Sequence, residues 1–432
     1  MRSSRSFGIS VVDFHNTLRL KIRAKTSAKK KKKKKKKHRE MGAGKNIWNA
    51  MEVAEQASHC STSQIPSSSL SIDPSLPLSD ISPLIIELCK DLFSKWSNLE
   101  NSRFSVETIS GGITNLLLKV TVKEENGNTV SVTVRLYGPN TDYVINRERE
   151  LQAIKYLSVA GFGANLLGVF ANGMVQSFIN ARTLVPSDMR NPKLAANIAK
   201  ELRRFHEVEI PGSKEPQLWI DMFKFFEKAS AMEFDDNEKQ KVYNTISFSV
   251  VHNEMIELKT FLLKMEQELT SLLNAPVVFA HNDLLSGNIM VNDEEDKLYF
   301  IDFEYGSYNY RGFDIGNHFN EYAGYECDYS LLPNKDEQYH FLRHYIQPTN
   351  PHEVSDKDLE ALYVEANTYM LASHLYWALW GIIQAKFSPI NFDYLGYFFL
   401  RYNEYKTQKE RCFSMARSHL SQSETGLNMN AQ

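Results

Sequence analysis

Residues 281–322 constrain this chain more than any other stretch: H-N-D-L-L-S-G-N-I-M, then I-D-F-E-Y, then N-Y-R-G-F-D-I-G-N-H-F-N-E-Y. The apolar run A-P-V-V-F-A leads into it. A short strand I-M-V-N, an acidic turn at residues 293–296 and a second strand L-Y-F-I follow. Such a hairpin gathers Asp283, Asn288 and Asp302 around one small volume. Asp and Asn in turns ordinarily bend and cap the chain, which accounts for any one of the three. It does not account for D-x-x-x-x-N followed fourteen residues later by D-F after an apolar strand.

Protein kinases use this spacing: the Asp of H-R-D, four residues, an Asn, and later D-F-G. There the first Asp accepts a proton from the substrate hydroxyl, and the Asn and second Asp hold Mg²⁺. The stretch therefore reads as a small-molecule kinase loop with Asp283 as base and Asn288 and Asp302 as metal ligands. Asp314, in R-G-F-D-I-G-N-H-F, is expected to order the loop by hydrogen bonding rather than to react.

A length of 432 residues suits two lobes with sizeable cores. The net charge of −2 conceals two opposite regions. Residues 1–40 hold 16 Lys and Arg against Asp13 and Glu40, whereas the rest holds 34 basic and 50 acidic residues. That acidic body excludes nucleic acid as its partner. The nine lysines at 29–37 read as a self-repelling disordered tail, or as residues ahead of a start at Met41, before a nuclear address or a lipid tether. Residues 57–80 are Ser- and Pro-rich linker, so 1–80 form a disordered extension and order begins near Pro83. Cys60, Cys89, Cys327 and Cys412 show no C-x-x-C spacing, which argues against zinc or a disulfide framework and for the reducing cytoplasm. No run approaches the roughly 18 apolar residues of a membrane span. The nearest, 369–385, contains Ser373, His374 and Gln384 and reads as a buried helix.

Leu84, Ile85, Leu88, Leu92 and Trp96 mark a first helix. The β-rich runs 104–108, 116–122 and 130–137 then make an antiparallel meander. Its turn, Ser110-Gly111-Gly112-Ile113-Thr114-Asn115, is ordinarily just a hairpin, yet lets backbone N–H groups approach phosphates. Arg135, in V-S-V-T-V-R-L-Y-G, stands where a protein kinase carries its phosphate-pairing Lys, and its fork suits phosphates equally. An edge charge on the sheet is the plainer alternative. In N-R-E-R-E-L-Q-A-I-K-Y-L either Glu148 or Glu150 is placed to orient Arg135. Glu150 is favoured, beside the stripe Leu151, Ile154 and Leu157. Strands near 166–170 and 174–179 follow, with Ser177, Phe178 and Ile179 as an interlobe connector facing adenine and Arg182 just beyond. Helical patterns dominate from Asp188, notably at 194–206 and 253–273, and 227–250 stays unassigned. Trp377 and Trp380, then Tyr394 and Tyr397, form an aromatic stripe. Such stripes usually pack a core, but aromatic faces beside a carboxylate suit a small cation. Residues 81–179 thus form a nucleotide-binding lobe, 180–414 a catalytic and substrate lobe, and 415–432 a frayed tail.

With H-N-D-x-x-x-x-N, I-D-F-E-Y-x-S-Y-N-Y-R-G-F-D-I-G-N-H-F and S-H-L-Y-W-A-L-W in view, residues 83–412 resemble the choline/ethanolamine kinase family, above all its plant ethanolamine kinases. The resemblance implies ATP-dependent, Mg²⁺-assisted phosphorylation of an amino alcohol. It also implies an α+β, bilobal protein-kinase-like fold, with an N-terminal antiparallel sheet lobe and a larger, mainly helical C-terminal lobe. It puts Arg135 and the turn residues Ser110, Gly111, Gly112, Thr114 and Asn115 on the phosphates, and Ser177 to Arg182 near the nucleotide. The same resemblance implies that the amine lies against Tyr305, Glu321, Trp377, Trp380 and Tyr397. One departure bears on the substrate. Choline kinases follow that Glu with Trp and further aromatics, whereas here Tyr322-Ala323-Gly324-Tyr325 follows Glu321. A quaternary ammonium needs an aromatic cage because it has no N–H to donate, and a primary ammonium wants acceptors. The expectation is ethanolamine, phosphorylated as the first step toward phosphatidylethanolamine, with a choline or dual kinase as alternative because both Trp persist. A homodimer is compatible with this reading.

Overall fold

The structure, a computed structural model, describes residues 65–111, 115–139, 141–273 and 277–429. It opens with β1 (Ser67–Ser68) and α1 (Leu78–Leu92). Then come β2 (Phe104–Gly111), β3 (Asn115–Lys123), β4 (Thr129–Tyr137), α2 (Arg147–Val159), β5 (Leu166–Phe170) and β6 (Gly173–Ser177). The six strands form one sheet in the order β1-β5-β6-β4-β3-β2, antiparallel except for β1 against β5. Alternation fixes the register. Leu118, Val120 and Val122 of β3 pair with Val134, Val132 and Val130 of β4, and the buried side of that ladder faces α1.

The first helix corrects two expectations. It starts at Leu78 and carries Pro83 in its second turn, where proline forfeits one intrahelical bond and crowds the carbonyl of Ser79. Its buried stripe is Ile81, Ile85, Leu88 and Leu92, while Leu84 is 37% exposed. Trp96 lies past the helix in a 3₁₀ turn, buried, with its indole N–H on Glu124 at 2.9 Å. Residues 65–80, expected as linker, carry β1, a buried Ile72 and the first residues of α1. The expected tail at residues 1–40, the Met41 start and Cys60 lie outside the described residues.

The second half is mainly helical. It contains β7 (Arg182–Thr183), α3 (Pro192–His206), α4 (Leu218–Ser230), α5 (Asn237–Tyr243), α6 (Phe248–Leu273), β8 (Val277–Ala280), β9 (Ile289–Asn292) and β10 (Lys297–Phe300). β11 (Ser307–Tyr310), α7 (Arg311–Asn320), α8 (Lys335–Ile346), α9 (Asp356–Phe387) and α10 (Tyr394–Met429) complete it. The unassigned stretch 227–250 holds the end of α4, the whole of α5 and the first residues of α6. α10 runs on past residue 415, with Ala416 buried and Met415 and Leu420 packed on the core, where a frayed tail was expected. The small sheets β10-β9-β7 and β11-β8 frame the 281–288 loop. α2 turns Leu151, Ile154 and Leu157 into the large core of this half, which ties the sheet to it. No helix among the described residues is long and apolar enough to cross a membrane.

All ten residues of α7 are buried. It lies against α9 because two glycines one turn apart allow it. A Cβ on Gly312 would come within 2.6 Å of the Tyr369 ring, and one on Gly316 within 2.5 Å of the Ala366 carbonyl oxygen. Arg311 clamps the crossing through a fork to Glu365 at 3.2 and 2.6 Å. Replacing a helical glycine by alanine ordinarily stabilises by about 0.5–1 kcal/mol. Here Gly316→Ala should instead destabilise by about 1–3 kcal/mol through overpacking. A denaturant midpoint that rises with the substitution would contradict this spacing of α7 and α9.

Candidate active site

The loop after β8 is held from beneath by one carboxylate. Asp314 accepts the backbone N–H of His281 at 2.8 Å and of Asn282 at 2.7 Å. It also meets His206 Nε2 at 2.8 Å, and His206 Nδ1 reaches the Tyr345 hydroxyl at 2.7 Å. Burial pushes this carboxyl up, but His206 and the loop N–H groups outweigh it and hold it below the usual carboxylate range. Asn282 stands in the left-handed region at φ 66°. Its amide donates to the Tyr305 carbonyl and the Ser307 hydroxyl, both at 2.9 Å, and its own carbonyl accepts from Asn309 at 2.7 Å. His281 reaches the Ile301 carbonyl at 3.0 Å, and His318 the Leu284 carbonyl at 2.8 Å. Asp314 thus orders the loop, as its place in the sequence suggested.

On this support Asp283 and Asn288 meet. The Asn288 amide donates to the Asp283 carbonyl at 2.8 Å and to its Oδ2 at 3.0 Å. Asp302, just past β10, adopts φ 63° and ψ 67°, a strained conformation for a non-glycine residue, and its Oδ1 takes Arg135 Nη2 at 2.8 Å. Asp283 is pushed well above the usual carboxylate range, first by burial and then by the charges of Glu321, Asp302 and Glu304, and the Asn288 hydrogen bond opposes this.

Arg135 is the hub of a buried ion cluster. Its Nη1 meets Glu150 Oε1 at 3.0 Å, and its Nη2 meets Glu304 Oε2 at 2.8 Å besides Asp302. Arg147 adds Glu150 at 2.8 Å, Glu304 at 3.4 Å, and the side chains of Thr141 and Asn115. Asn115 itself donates to Glu304 at 3.1 Å. The choice of Glu150 holds, since Glu148 points to solvent. Arg147 and Glu304 were missed. The signals were there: Arg147 precedes Glu150 by one helical step, and Glu304 sits inside I-D-F-E. Oxygens of Glu150, Asp302 and Glu304 lie within 4.8 Å of one another, already shared between the two arginines.

The remaining expected residues divide. Ser110 and Gly111 end β2 and Asn115 begins β3, whereas Gly112 and Thr114 lie outside the described residues. Ser177 is bound to Asn165 through both its N–H and its hydroxyl at 2.9 Å. The Phe178 N–H bonds Ser131 O at 3.4 Å, its ring lies under Lys119, and Ile179 is half-buried beyond it. Arg182 is committed to Asp293 at 2.7 Å and Asp188 at 3.0 Å, pinning β7 against the acidic turn.

A second cluster is aromatic. Trp380 Nε1 donates to the Tyr305 hydroxyl at 2.8 Å, and the Tyr305 ring stands edge-on to Trp377 at 5.1 Å. Tyr397 packs edge-on to Trp380 at 6.3 Å. Glu321 lies beside them, its Oε1 paired with Arg401 at 3.2 Å, a partner the sequence reading did not single out. Tyr305, Glu321, Trp377, Trp380 and Tyr397, expected together, are brought together.

A family model described as choline/ethanolamine kinase matches residues 106–406, from β2 into α10. A "probable ethanolamine kinase" of Arabidopsis thaliana is 68% identical over 383 residues, covering 89% of this chain and 100% of its own length. A "probable ethanolamine kinase A" of Dictyostelium discoideum is 38% identical over 77% of this chain and 93% of its own. The solved structure of a Plasmodium vivax ethanolamine kinase aligns with a TM-score of 0.63 at 28% identity, covering 78% of this chain and 95% of that one. With the two lobes and the loop as described, the chain belongs to the choline/ethanolamine kinase family.

Proposed function

We propose that this protein transfers the γ-phosphoryl group of ATP, with Mg²⁺, to the hydroxyl of ethanolamine, giving phosphoethanolamine and ADP, the entry step to phosphatidylethanolamine. One observation carries the reading. The loop that Asp314 of α7 anchors sets Asp283 against Asn288 at 3.0 Å, and α7 itself ends at Glu321 beside the aromatic cluster. A short amino alcohol with its ammonium at Glu321 presents its hydroxyl to Asp283. Family membership and the names of the curated relatives support the same substrate.

In this reading Asp283 accepts the hydroxyl proton as the new O–P bond forms, and Asn288 fixes its carboxylate. Asn288 and Asp302 offer the hard oxygen donors that suit Mg²⁺, and Asp302 keeps Oδ2 clear of Arg135 on a side chain 33% exposed. An ion held there with the nucleotide would offset charge on the transferring phosphoryl group. Arg135 and the facing ends of β2 and β3 at Gly111 and Asn115 serve the phosphates, and Ser177 to Ile179 serve the adenine. Buried free Cys89, Cys327 and Cys412 suit a reducing compartment, the cytoplasm.

Choline is the second reading, favoured by Tyr305, Trp377 and Trp380. Against it, the residue after Glu321 furnishes no cage wall. Tyr322 is turned into the core, 4% exposed, with its hydroxyl on the Met189 carbonyl at 3.0 Å. In an ATP-coupled assay kcat/KM should be higher for ethanolamine than for choline, and a choline preference would overturn the assignment.

Asp283→Asn should lower kcat by about two to four orders of magnitude. Its effect on stability has the opposite sign. A carboxyl whose folded pKa is raised favours the fold only while protonated, and that contribution is lost as pH rises. At pH 7 the neutral amide should therefore leave the melting temperature at or above wild type. A variant that is both fully active and less stable would remove Asp283 from this role.

A further inference from the structure

Arg401 lies on α10, four residues past Tyr397, and is 1% exposed. Its Nη1 donates to Glu321 Oε1 at 3.2 Å and its Nη2 to Ser373 Oγ at 2.9 Å. Ser373 in turn donates to Asn317 Oδ1 at 2.8 Å, and the same atom receives Trp377 Nε1 at 2.7 Å. One chain of hydrogen bonds thus runs from Glu321 through Arg401, Ser373 and Asn317 to Trp377. The guanidinium also sits over the Tyr397 ring, 5.7 Å from its centroid.

A buried guanidinium is costly unless a carboxylate accompanies it, and Glu321 is its only ion-pair partner among the described residues. Two consequences follow. The face of Tyr397 already carries a cation of the protein's own, and Glu321 is already partly neutralised. A ligand cation entering here meets repulsion from Arg401. It recovers binding through Glu321 Oε2, which makes no hydrogen bond to a described residue. A primary ammonium can donate N–H to that oxygen, and a trimethylammonium cannot.

We propose that Arg401 is the positioning residue that sets amine selectivity. It fixes one oxygen of Glu321, leaves the other for the substrate, and penalises an ammonium without N–H donors. This rests on the reading of the Glu321 side as the amine site.

Burial pushes the Glu321 carboxyl above the usual range, and Arg401 pulls it back. Facing the pair are Tyr397 of α10, Asp283 of the loop, His374 of α9, and Tyr325, Cys327 and Tyr329 after α7. Asp283 is the one other carboxyl among these. Without the guanidinium, Glu321 takes up its proton at higher pH and ceases to be an anionic acceptor.

The test compares the full-length wild type with Arg401→Met on ethanolamine and choline, measuring kcat and KM across pH at saturating ATP. KM for ethanolamine should rise about tenfold or more, the order of one hydrogen bond to a charged group. KM for choline should move less, so that selectivity narrows. The acid limb of kcat/KM for ethanolamine should shift to higher pH, and Arg401→Lys should restore part of each change. Equal shifts for both amines with an unmoved pH profile, in an enzyme whose wild type phosphorylates ethanolamine, overturn the proposal and leave the kinase reading intact. A wild type inactive on both amines sinks that reading, and the proposal with it. If Arg401→Met does not fold, Ser373→Ala removes the Nη2 acceptor while keeping the charge. It should narrow selectivity in the same direction by less, and unchanged selectivity there overturns the proposal.

Discussion

The Asp314 carboxylate is the contact on which the rest of the site depends. It accepts two consecutive backbone N–H groups from the loop and a third bond from His206, all within a buried region. Two adjacent N–H groups converge on one carboxylate only if the backbone turns sharply, and Asn282 supplies that turn with its positive φ. Asp283 comes next, so its direction is set before its own side chain makes any contact. Asp314 in turn is only as fixed as α7, which Gly312, Gly316 and the Arg311–Glu365 fork seat against α9. The same helix delivers Glu321 at its C-terminal cap. One buried helix therefore sets both the candidate base and the candidate amine partner, and a shift in it would move them together.

The charges around that frame are unevenly matched. Glu150 and Glu304 are bound by Arg135 and Arg147, and Glu321 by Arg401. Asp302 shares Arg135 with the others, and among the described residues Asp283 has only the Asn288 amide. Burial first, and then the charges of Glu321, Asp302 and Glu304, raise the Asp283 carboxyl, and no cation among the described residues offsets them as Arg135 does for Glu304. A site that must attract a cation while keeping one carboxylate basic is served by such an arrangement. Its cost in stability is met by the large apolar core around it.

How much of this was legible in the sequence depends on the range of each interaction. The loop was legible because Asp283, Asn288 and Asp302 are separated only by a hairpin, so spacing nearly dictates proximity. Glu150 was legible because helix period placed it beside Leu151 and Ile154. Arg401 was not, since its partner Glu321 is 80 residues away and joins it only when α10 packs on α9. The described parts of the expected linker and tail, residues 65–80 and 415–429, take up structure for another reason. Ser- and Pro-rich composition describes a segment's own preference, but β1 is held by pairing with β5, and α10 beyond residue 415 by the core beneath it. Leu84 shows the limit of periodicity, because a stripe displaced by one residue fits the pattern almost as well and only packing decides between them.

The junction between the sheet and the helical half is not purely apolar. α2 contributes a hydrophobic stripe, but alongside it Arg135 of β4 and Asn115 of β3 reach Asp302 and Glu304, which follow β10. Apolar contact tolerates sliding, whereas a guanidinium shared among three carboxylates has one good geometry. The two lobes are therefore registered by charge where β3 and β4 meet the residues that follow β10.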